Sequence, residues 1–235
     1  MTYKAVIFDL DGTLVNSLED LADATNYALK FFGQQPHNTE AFKLMVGEGT
    51  RTLISRALNN KNTELVEPVL AKMREKYMQI CLNKSRPYKG LQEVVAELAK
   101  KNIKLAVLTN KDEKMAQKIV SHFFDGLFQI VKGTIEAVAV KPEPTAALQV
   151  LEKLGVRPEE AIFVGDSKID VQTAKAAGIK AVGVSWGFRG RGELIEAGAD
   201  AVVEEPIALL KILNPNIEIR NKSELPKFKI IKRTP

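Results

Sequence analysis

The amino-acid sequence predicts an α/β protein with a Rossmann-like parallel sheet that carries helices on both faces. The first observation is the apolar run at residues 5–8, which ends in an Asp-Leu-Asp-Gly turn and has the pattern of a strand buried on both faces. The second is the alternation of helical and strand patterns from residue 91 onward, which is typical of a parallel sheet. The third is a long helical block after the first strand, with no further strand pattern before residue 104.

The elements after residue 90 are predicted one by one from their hydrophobic periodicity. Short apolar runs indicate strands at residues 104–108, 127–131, 161–164, 181–184 and 201–203. Helical spacing indicates helices at residues 91–101, 113–123, 144–154, 170–177, 193–197 and 207–213. Right-handed crossovers between such strands place the helices on both faces of one sheet.

The helical block precedes these elements and predicts a second domain. Helical spacing covers residues 17–32, 39–45, 49–58 and 64–82, with Ser17 as N-cap and Gly33 as terminator of the first helix. A block of roughly 65 residues is too long for a simple crossover, so we interpret residues 16–83 as an inserted helical domain, the helical insert. The core is then expected to comprise residues 1–15 and 84–214. Residues 215–235 are a basic C-terminal extension, for which an edge strand at 227–232, a pairing arm and a loose tail are alternatives.

Composition narrows the classes of protein that the chain can belong to. With 235 residues and 45% hydrophobic content, it can bury one substantial core and a smaller companion. No apolar run approaches the roughly 20 residues of a membrane span, so we expect a cytoplasmic protein that does not bind membranes. The net charge of +5 is scattered and aromatic residues make up 6% of the chain, which favours small anionic ligands over nucleic acid. Cys81 is the single cysteine of the sequence, so an internal disulfide cannot form.

Two carboxylates follow the first predicted strand. Asp9 and Asp11 are separated by one residue and leave the strand tip on the same side. Their mutual repulsion makes it costly to ionise both unless a cation shares the site or one carboxyl keeps its proton. Gly12 permits a sharp turn, and Thr13 offers a hydroxyl and an amide to an anion. The alternative is a solvated Asp-rich turn.

Polar residues also follow two later strands. Thr109 and Asn110 come after the strand at 104–108, and Asp166 and Ser167 come after the strand at 161–164. Because the carboxyl ends of parallel strands lie along one edge of a sheet, where open α/β sheets bind ligands, we expect these residues to lie near Asp9. Taken alone, Asn110 and Asp166 could instead have purely structural roles. Asn110 could be a turn residue, and Asp166 could be a helix cap.

Lys141 lies in the segment VKPEP, where Pro142 and Pro144 mark the start of a helix. Its ordinary interpretation is a solvated lysine before a helix. Its functional interpretation is a fixed positive charge that neutralises phosphate.

In combination these segments resemble the haloacid dehalogenase superfamily of phosphotransferases. Four motifs occur in order over nearly the whole chain: residues 9–13, Thr109, Lys141, and residues 165–167 with Asp170. The helical insert is similar to the small mobile cap of that family. Within the superfamily, FDLDGTLVNS, VGEG and GDSKIDVQTAKAAG are most similar to the phosphoglycolate phosphatases. Asn16 and Thr145 replace acidic residues that are common there, which weakens only the substrate assignment.

The resemblance implies a phosphatase that uses a covalent intermediate. Asp9 is the expected nucleophile and forms an aspartyl phosphate, while Asp11 protonates the leaving alkoxide and then activates water. Mg²⁺ is expected to be held by Asp9, the backbone carbonyl of Asp11, and Asp166. Lys141 is expected to neutralise the transferring phosphoryl group.

Further residues are expected to support this chemistry. Substrate contacts are expected from the hydroxyl and amide groups of Gly12, Thr13, Thr109 and Asn110. Asp170 and Ser167 are expected to lie behind the metal and Lys141 and to orient them.

The helical insert is expected to close over the site and to contact the organic part of a small phosphorylated metabolite. The candidates are the turn at residues 47–49, including Glu48, and Arg51. A turn with a surface arginine is an equal alternative. Arg189 and Arg191 are similarly divided between a phosphate-facing loop and a solvated turn.

Three other functions use related residues. A sugar-phosphate mutase would return the phosphoryl group to substrate instead of water. A phosphonate-cleaving relative would need a Schiff-base lysine in the insert, and residues 44–60 contain none. A signalling domain would hold a stable phospho-Asp without turnover. The sequence allows a monomer or a homodimer.

Overall fold

The structure, a computed structural model, describes residues 3–135 and 141–213 and confirms the predicted α/β class. Its strands are β1 (Ala5–Phe8), β2 (Val15–Asn16), β3 (Arg86–Pro87), β4 (Lys104–Asp112), β5 (Ile130–Thr134), β6 (Ala161–Gly165), β7 (Lys180–Val184) and β8 (Ala201–Val203). Its α-helices are α1 (Leu18–Phe31), α2 (Phe42–Met45), α3 (Thr50–Ala57), α4 (Val66–Ile80), α5 (Leu91–Lys100), α6 (Glu113–Phe124), α7 (Thr145–Leu154), α8 (Lys168–Ala176), α9 (Arg191–Glu196) and α10 (Ala208–Leu213). Short 3₁₀ turns lie at Thr39–Ala41, Thr63–Leu65 and Pro158–Glu160.

Six parallel strands form one sheet in the order β5-β4-β1-β6-β7-β8. The first strand therefore lies in the middle, between β4 and β6, and its residues are fully buried. Val6 and Phe8 pack on one face, and Ala5 and Ile7 pack on the other. An apolar strand with helices on both faces needs this continuous hydrophobic run, which explains why the pattern does not alternate.

The helical insert packs against the same core. Phe42, Leu53 and Ile54 are buried in the apolar cluster that contains Phe8. A two-stranded antiparallel ladder of β2 and β3 joins the two ends of the insert, with Val15 opposite Pro87. That residues 16–83 form a separate domain stays a prediction.

Most predicted elements are present, but three predictions differ from the structure, and one of these differences affects the site. The strand predicted at 104–108 continues to Asp112, with a register shift against β5, so Thr109 and Asn110 lie within the strand rather than in a turn. The strand predicted at 127–131 lies at Ile130–Thr134. The expectation of no strand between β1 and residue 104 is wrong because two-residue strands such as β2 and β3 carry no detectable periodicity.

The predicted basic extension at 215–235 lies outside the described residues. Within the described ranges, no helix has the length and apolar character needed to span a membrane.

Candidate active site

The turn after β1 presents its polar groups at the carboxyl edge of the sheet. Asp9 directly follows the strand, and its backbone amide donates to Val164 O of the neighbouring strand at 2.9 Å. Gly12 has a φ of +87°, and a Cβ atom there would collide with the carboxylate of Asp166. Glycine is therefore required both by the left-handed backbone and by the close approach of the two segments. The hydroxyl of Thr13 donates to Asp166 Oδ1 at 3.3 Å.

Three buried carboxylates meet at this edge. Asp9, Asp166 and Asp170 each place one oxygen within 4.8 Å of the other two. Burial is the main cause that raises the pKa of Asp9 to about 6, with added repulsion from Asp170 and Asp11 against the attraction of Lys141. Burial, followed by repulsion from Asp170 and Asp9, holds the pKa of Asp166 well above its usual range. The burial and mutual repulsion of Asp9 and Asp166 fit a hard divalent cation, which would compensate their charge.

Lys141 provides the positive charge beside these carboxylates. Its Nζ lies 2.7 Å from Asp9 Oδ1 and 2.6 Å from Asp170 Oδ1. Burial disfavours the charged amine, but the ion pairs with Asp170 and Asp9 outweigh that cost and raise the pKa of Lys141. The lysine therefore remains protonated at neutral pH.

The start of α8 fixes the second partner of Lys141. Ser167 donates to Asp170 Oδ2 through its backbone amide at 3.1 Å and its hydroxyl at 2.7 Å. This is a capping-box arrangement at the first turn of a helix, and it leaves the other oxygen of Asp170 directed at Lys141. The structure thus brings Ser167 and Asp170 behind the lysine.

The two polar residues predicted to follow the strand at 104–108, Thr109 and Asn110, make different contacts. Thr109 is buried and lines the cavity above Asp9 and Asp11. The side-chain amide of Asn110 donates to Lys141 O at 3.0 Å and to Gly47 O at 3.1 Å. Asn110 Oδ1 accepts from the backbone amide of Lys141 at 2.9 Å. Asn110 therefore holds Lys141 and the turn of the insert in place. Because it also lines the cavity, the phosphate contact expected from the sequence stays a prediction.

The helical insert contributes the rest of the cavity wall, but not with the charged residues that we expected. Gly47 and Gly49 line the cavity, together with Leu21, Val46, Thr50 and Leu53. Arg51 instead pairs with Glu67 at 2.8 Å, with 60% of its side chain exposed. Glu48 pairs with Arg56 at 2.6 Å. The structure therefore does not bring Arg51 to the cavity, because the first turn of α3 directs this side chain toward α4 and solvent.

The arginines of the loop after β7 also make contacts away from the carboxylates. Arg189 donates to the backbone oxygens of Val46 at 2.8 Å and Leu44 at 3.2 Å. Arg191 pairs with Glu204 at 2.7 Å near the surface. The same loop does reach the acidic cluster through its backbone, since the amide of Phe188 donates to Asp166 Oδ2 at 2.7 Å. Because a backbone amide makes this last contact, the residue type at position 188 gives no indication of it in the sequence.

One buried ionisable residue of the site was missed by the sequence reasoning. Lys111 lies two residues beyond Thr109 on β4, and its Nζ lies 2.8 Å from Asp11 Oδ2. Lysine at the end of an apolar strand is ordinarily a solvated residue, so its sequence position does not indicate a role in the site. The available signal was its two-residue offset from Thr109, which on an extended strand places both side chains on the same face.

Carboxylates and lysines gathered at the carboxyl edge of a doubly covered parallel sheet define an α/β enzyme whose site suits transfer of an anionic group. Comparison with known families identifies which family of α/β enzymes this is. A sequence model of the haloacid dehalogenase-like hydrolases matches residues 6–184, and the chain belongs to this family. The protein is accordingly a hydrolase, as the sequence predicted.

Relatives cover nearly the whole chain. A phosphoglycolate phosphatase from Haemophilus influenzae (strain 86-028NP) is 36% identical over 220 residues, which are 90% of this chain and 98% of the relative. A phosphoglycolate phosphatase from Pseudomonas putida is 34% identical over 214 residues, covering 88% of this chain and 78% of the relative. The crystal structure of a predicted phosphoglycolate phosphatase from Haemophilus somnus superposes with a TM-score of 0.82 at 29% identity, covering 90% and 98% of the two chains.

Proposed function

We propose that the protein is a phosphatase that hydrolyses small phosphate monoesters of the phosphoglycolate type through an aspartyl phosphate on Asp9. The observation that carries this proposal is the position of Asp9 at the tip of the central strand, 2.7 Å from the buried ammonium of Lys141. A carboxylate beside a fixed cation can approach an anionic phosphoryl group that would otherwise repel it. The names of the relatives support the choice of substrate class.

In the first half-reaction, an oxygen of Asp9 attacks phosphorus and the bond between phosphorus and the leaving oxygen breaks. Asp11 gives its proton to that oxygen, which departs as an alcohol. Lys141 stays protonated throughout and balances negative charge on the phosphoryl oxygens. Thr109, which lines the cavity, would donate its hydroxyl proton to one of them.

In the second half-reaction, the Asp11 carboxylate takes a proton from water and the water oxygen attacks the phosphorus of the aspartyl phosphate. The bond between phosphorus and Asp9 breaks, inorganic phosphate leaves, and Asp11 is again protonated. One pair of carboxylates therefore serves both steps.

The acidic cluster fits Mg²⁺ as the cation of this site. Its buried oxygens lie within 4.8 Å of one another, and only one lysine, Lys141, lies among them in the described residues. Asp9, Asp166 and the backbone carbonyl of Asp11 would hold the ion, with Asp170 behind it. When bound, Mg²⁺ would neutralise the carboxylates and polarise the phosphoryl group as a Lewis acid.

The substrate that best fits the cavity is a small one. Its outer wall is the turn of the helical insert at residues 47–49, where backbone and apolar groups face Asp9 and Asp11. We propose that residues 16–83 act as a cap that covers the bound phosphate ester and excludes bulk water. A small cap of this kind suits a two- or three-carbon phosphate ester better than a protein substrate.

Phosphate release from a panel of small phosphomonoesters with Mg²⁺ tests this function. Phosphoglycolate should rank among the best substrates, and Asp9→Asn should reduce turnover by more than about a thousandfold because it removes the nucleophile. Asp23→Asn is the matched control, since this exposed carboxylate pairs with Lys84 at 2.8 Å and lies outside the site.

The rivals give different results in the same assay. A mutase would transfer phosphate between two sugar phosphates with little free phosphate. A signalling domain would accumulate phosphorylated protein without turnover. Asp9→Asn activity within about tenfold of wild type would remove Asp9 from the role of nucleophile.

A further inference from the structure

The carboxylate of Asp11 is held by a residue that the mechanism above does not use. Lys111 Nζ donates to both oxygens of Asp11, to Oδ1 at 2.9 Å and to Oδ2 at 2.8 Å. The hydroxyl of Ser17 donates to Oδ1 at 2.5 Å. Asp11 therefore accepts three hydrogen bonds from two side chains, which fixes both the rotamer and the direction of its oxygens.

The surroundings of Lys111 show that this contact is built into the fold. Only 2% of its side chain is exposed, against 12% for Asp11. Its Nζ lies 4.5 Å from the ring centroid of Tyr77, a buried residue of α4, in a cation–π arrangement. Two elements thus contact the Asp11 carboxylate, β4 through Lys111 and the start of α1 through Ser17. A third, α4 of the helical insert, contacts Lys111 through Tyr77.

The two buried lysines of the site have separate partners. Lys141 pairs with Asp9 and Asp170. Among the described residues, Asp11 is the carboxylate within ion-pair distance of Lys111. Asp9, the proposed nucleophile, and Asp11, the proposed acid–base residue, therefore pair with different lysines. The positive charge beside the phosphoryl group comes from Lys141, and the positive charge beside Asp11 comes from Lys111.

We propose that Lys111 is a positioning residue that holds Asp11 in the orientation required for proton transfer, a proposal that rests on the proposed function. When Asp11 gives its proton to the leaving oxygen, the Asp11 carboxylate forms within hydrogen-bond distance of a fixed ammonium. When the same carboxylate later takes a proton from water, Lys111 and Ser17 keep its oxygens in the same place.

A direct contact with the organic part of the substrate is the competing role, because Lys111 also lines the cavity. The geometry favours positioning, since both carboxylate oxygens lie within 2.9 Å of Nζ and the Tyr77 ring contacts the same ammonium. A substrate anion would have to displace Asp11 to reach this ammonium.

The kcat/KM values of three phosphate esters separate these roles in the Lys111→Met variant, which keeps the volume and removes the charge. Phosphoglycolate and ethyl phosphate both release an alkoxide that needs a proton, whereas p-nitrophenyl phosphate releases a phenolate that leaves without one. Because kcat/KM reports the steps up to release of the alcohol, loss of a positioned acid should lower it roughly a hundredfold for both alkyl esters and less than about tenfold for the aryl ester.

Each other pattern overturns the proposal. A large loss on phosphoglycolate with none on ethyl phosphate would assign Lys111 to the substrate carboxylate. Equal losses on all three esters would assign it to general folding of the site, and unchanged values would make it a bystander. Turnover of the same esters by the wild-type enzyme tests the proposed function separately. If the wild type releases no phosphate from any of them, the proposed function fails, whatever the variants do.

A second variant keeps the test decisive if Lys111→Met does not fold. Ser17→Ala removes the other donor to Asp11 without removing a charge, and it should give the same preference for the aryl ester with a smaller loss on the alkyl esters. Lys132→Met is the matched control. This partly exposed lysine of β5 pairs with Glu113 of α6 at 3.5 Å, so its replacement should leave all three values unchanged. A uniform change in Ser17→Ala would contradict the positioning role.

Discussion

Arg189 ties the loop after β7 to the helical insert: its guanidinium donates to the backbone oxygen of Val46 at 2.8 Å, at the C-terminal end of α2. From the other side of the cavity, Asn110 donates to Gly47 O at 3.1 Å. The turn that covers the carboxylates is therefore held by two side chains of the core. The loop of Arg189 also contacts Asp166 through the amide of Phe188, which links the acidic cluster to the position of the insert.

Arg189→Ala should weaken substrate binding more than it slows the chemical step. The lost hydrogen bonds come from a charged donor and hold the turn closed, so we expect KM for the preferred substrate to rise roughly five- to tenfold, with kcat changed by less than about threefold. Arg191→Ala is the control, since Arg191 pairs with Glu204 near the surface. Equal effects of the two substitutions would argue against a specific role for Arg189. Steady-state kinetics with Mg²⁺ provide the measurement.

Asp9→Asn should stabilise the protein when metal is absent. The pKa of Asp9 is about 6 in the folded chain and 3.8 for an ordinary aspartate, as in the unfolded chain, so the folded state binds more protons between these values. The free energy of unfolding therefore falls as pH rises from about 4 through about 6, by up to about 3 kcal/mol from this group. Removing the charge should raise the melting temperature in chelator by several degrees above pH 6.

The dependence of the Asp9→Asn effect on pH and on Mg²⁺ serves as the control for this stability prediction. The gain in melting temperature should fade below about pH 4, where Asp9 is protonated in both states of the wild type. With saturating Mg²⁺ the order should reverse, because the wild type then gains ligand-binding energy that the variant lacks. A stability difference that does not depend on pH would contradict the assignment to this carboxyl.

Removal of metal should abolish activity reversibly. Treatment with chelator should stop phosphate release, and Mg²⁺ should restore it, because the buried carboxylates repel phosphate without a cation. Ca²⁺ should restore activity poorly, since it prefers more ligands and looser geometry. Asp166→Asn should shift half-maximal activation to much higher Mg²⁺, whereas Asp23→Asn should not. Full turnover in excess chelator would exclude Asp166 from a metal-holding role.

Gly49→Ala should impair the enzyme more than Arg51→Ala, although arginine is the charged residue of the pair. Gly49 has φ and ψ of 92° and 160°, a backbone conformation that costs other residues roughly 1–3 kcal/mol. We expect kcat/KM to fall about tenfold as the turn over Asp11 rearranges. Arg51→Ala should stay within about twofold, because its exposed ion pair with Glu67 contributes little. A larger loss for Arg51→Ala would restore its predicted substrate contact.

Residues that follow a buried strand were predictable because local pattern and sheet geometry act together. The apolar run before Asp9 identifies a parallel strand, and the carboxyl ends of such strands meet at one edge. Asp166 was placed near Asp9 by the same reasoning, and the two lie in one cluster. Their chemical roles stay predictions until the variants above are measured.

Side chains whose partners come from distant elements were not predictable in this way. Arg51 and Lys111 are both basic residues near candidate motifs, yet Arg51 is directed to Glu67 and Lys111 to Asp11. Their sequence neighbourhoods do not distinguish these outcomes. The choice depends on which way a strand continues or a helix turns, and therefore on packing between elements.

The sequence by itself determined the fold class, the position of the carboxylates and the presence of several helices between β1 and β4, because hydrophobic periodicity is a local property of the chain. Tertiary structure alone decided which charges pair. It assigned Lys141 to Asp9 and Asp170, Lys111 to Asp11, and Asn110 to the turn at Gly47. These pairs join residues that are 29 to 132 positions apart, and no local pattern encodes contacts made only after the sheet and the insert have packed together.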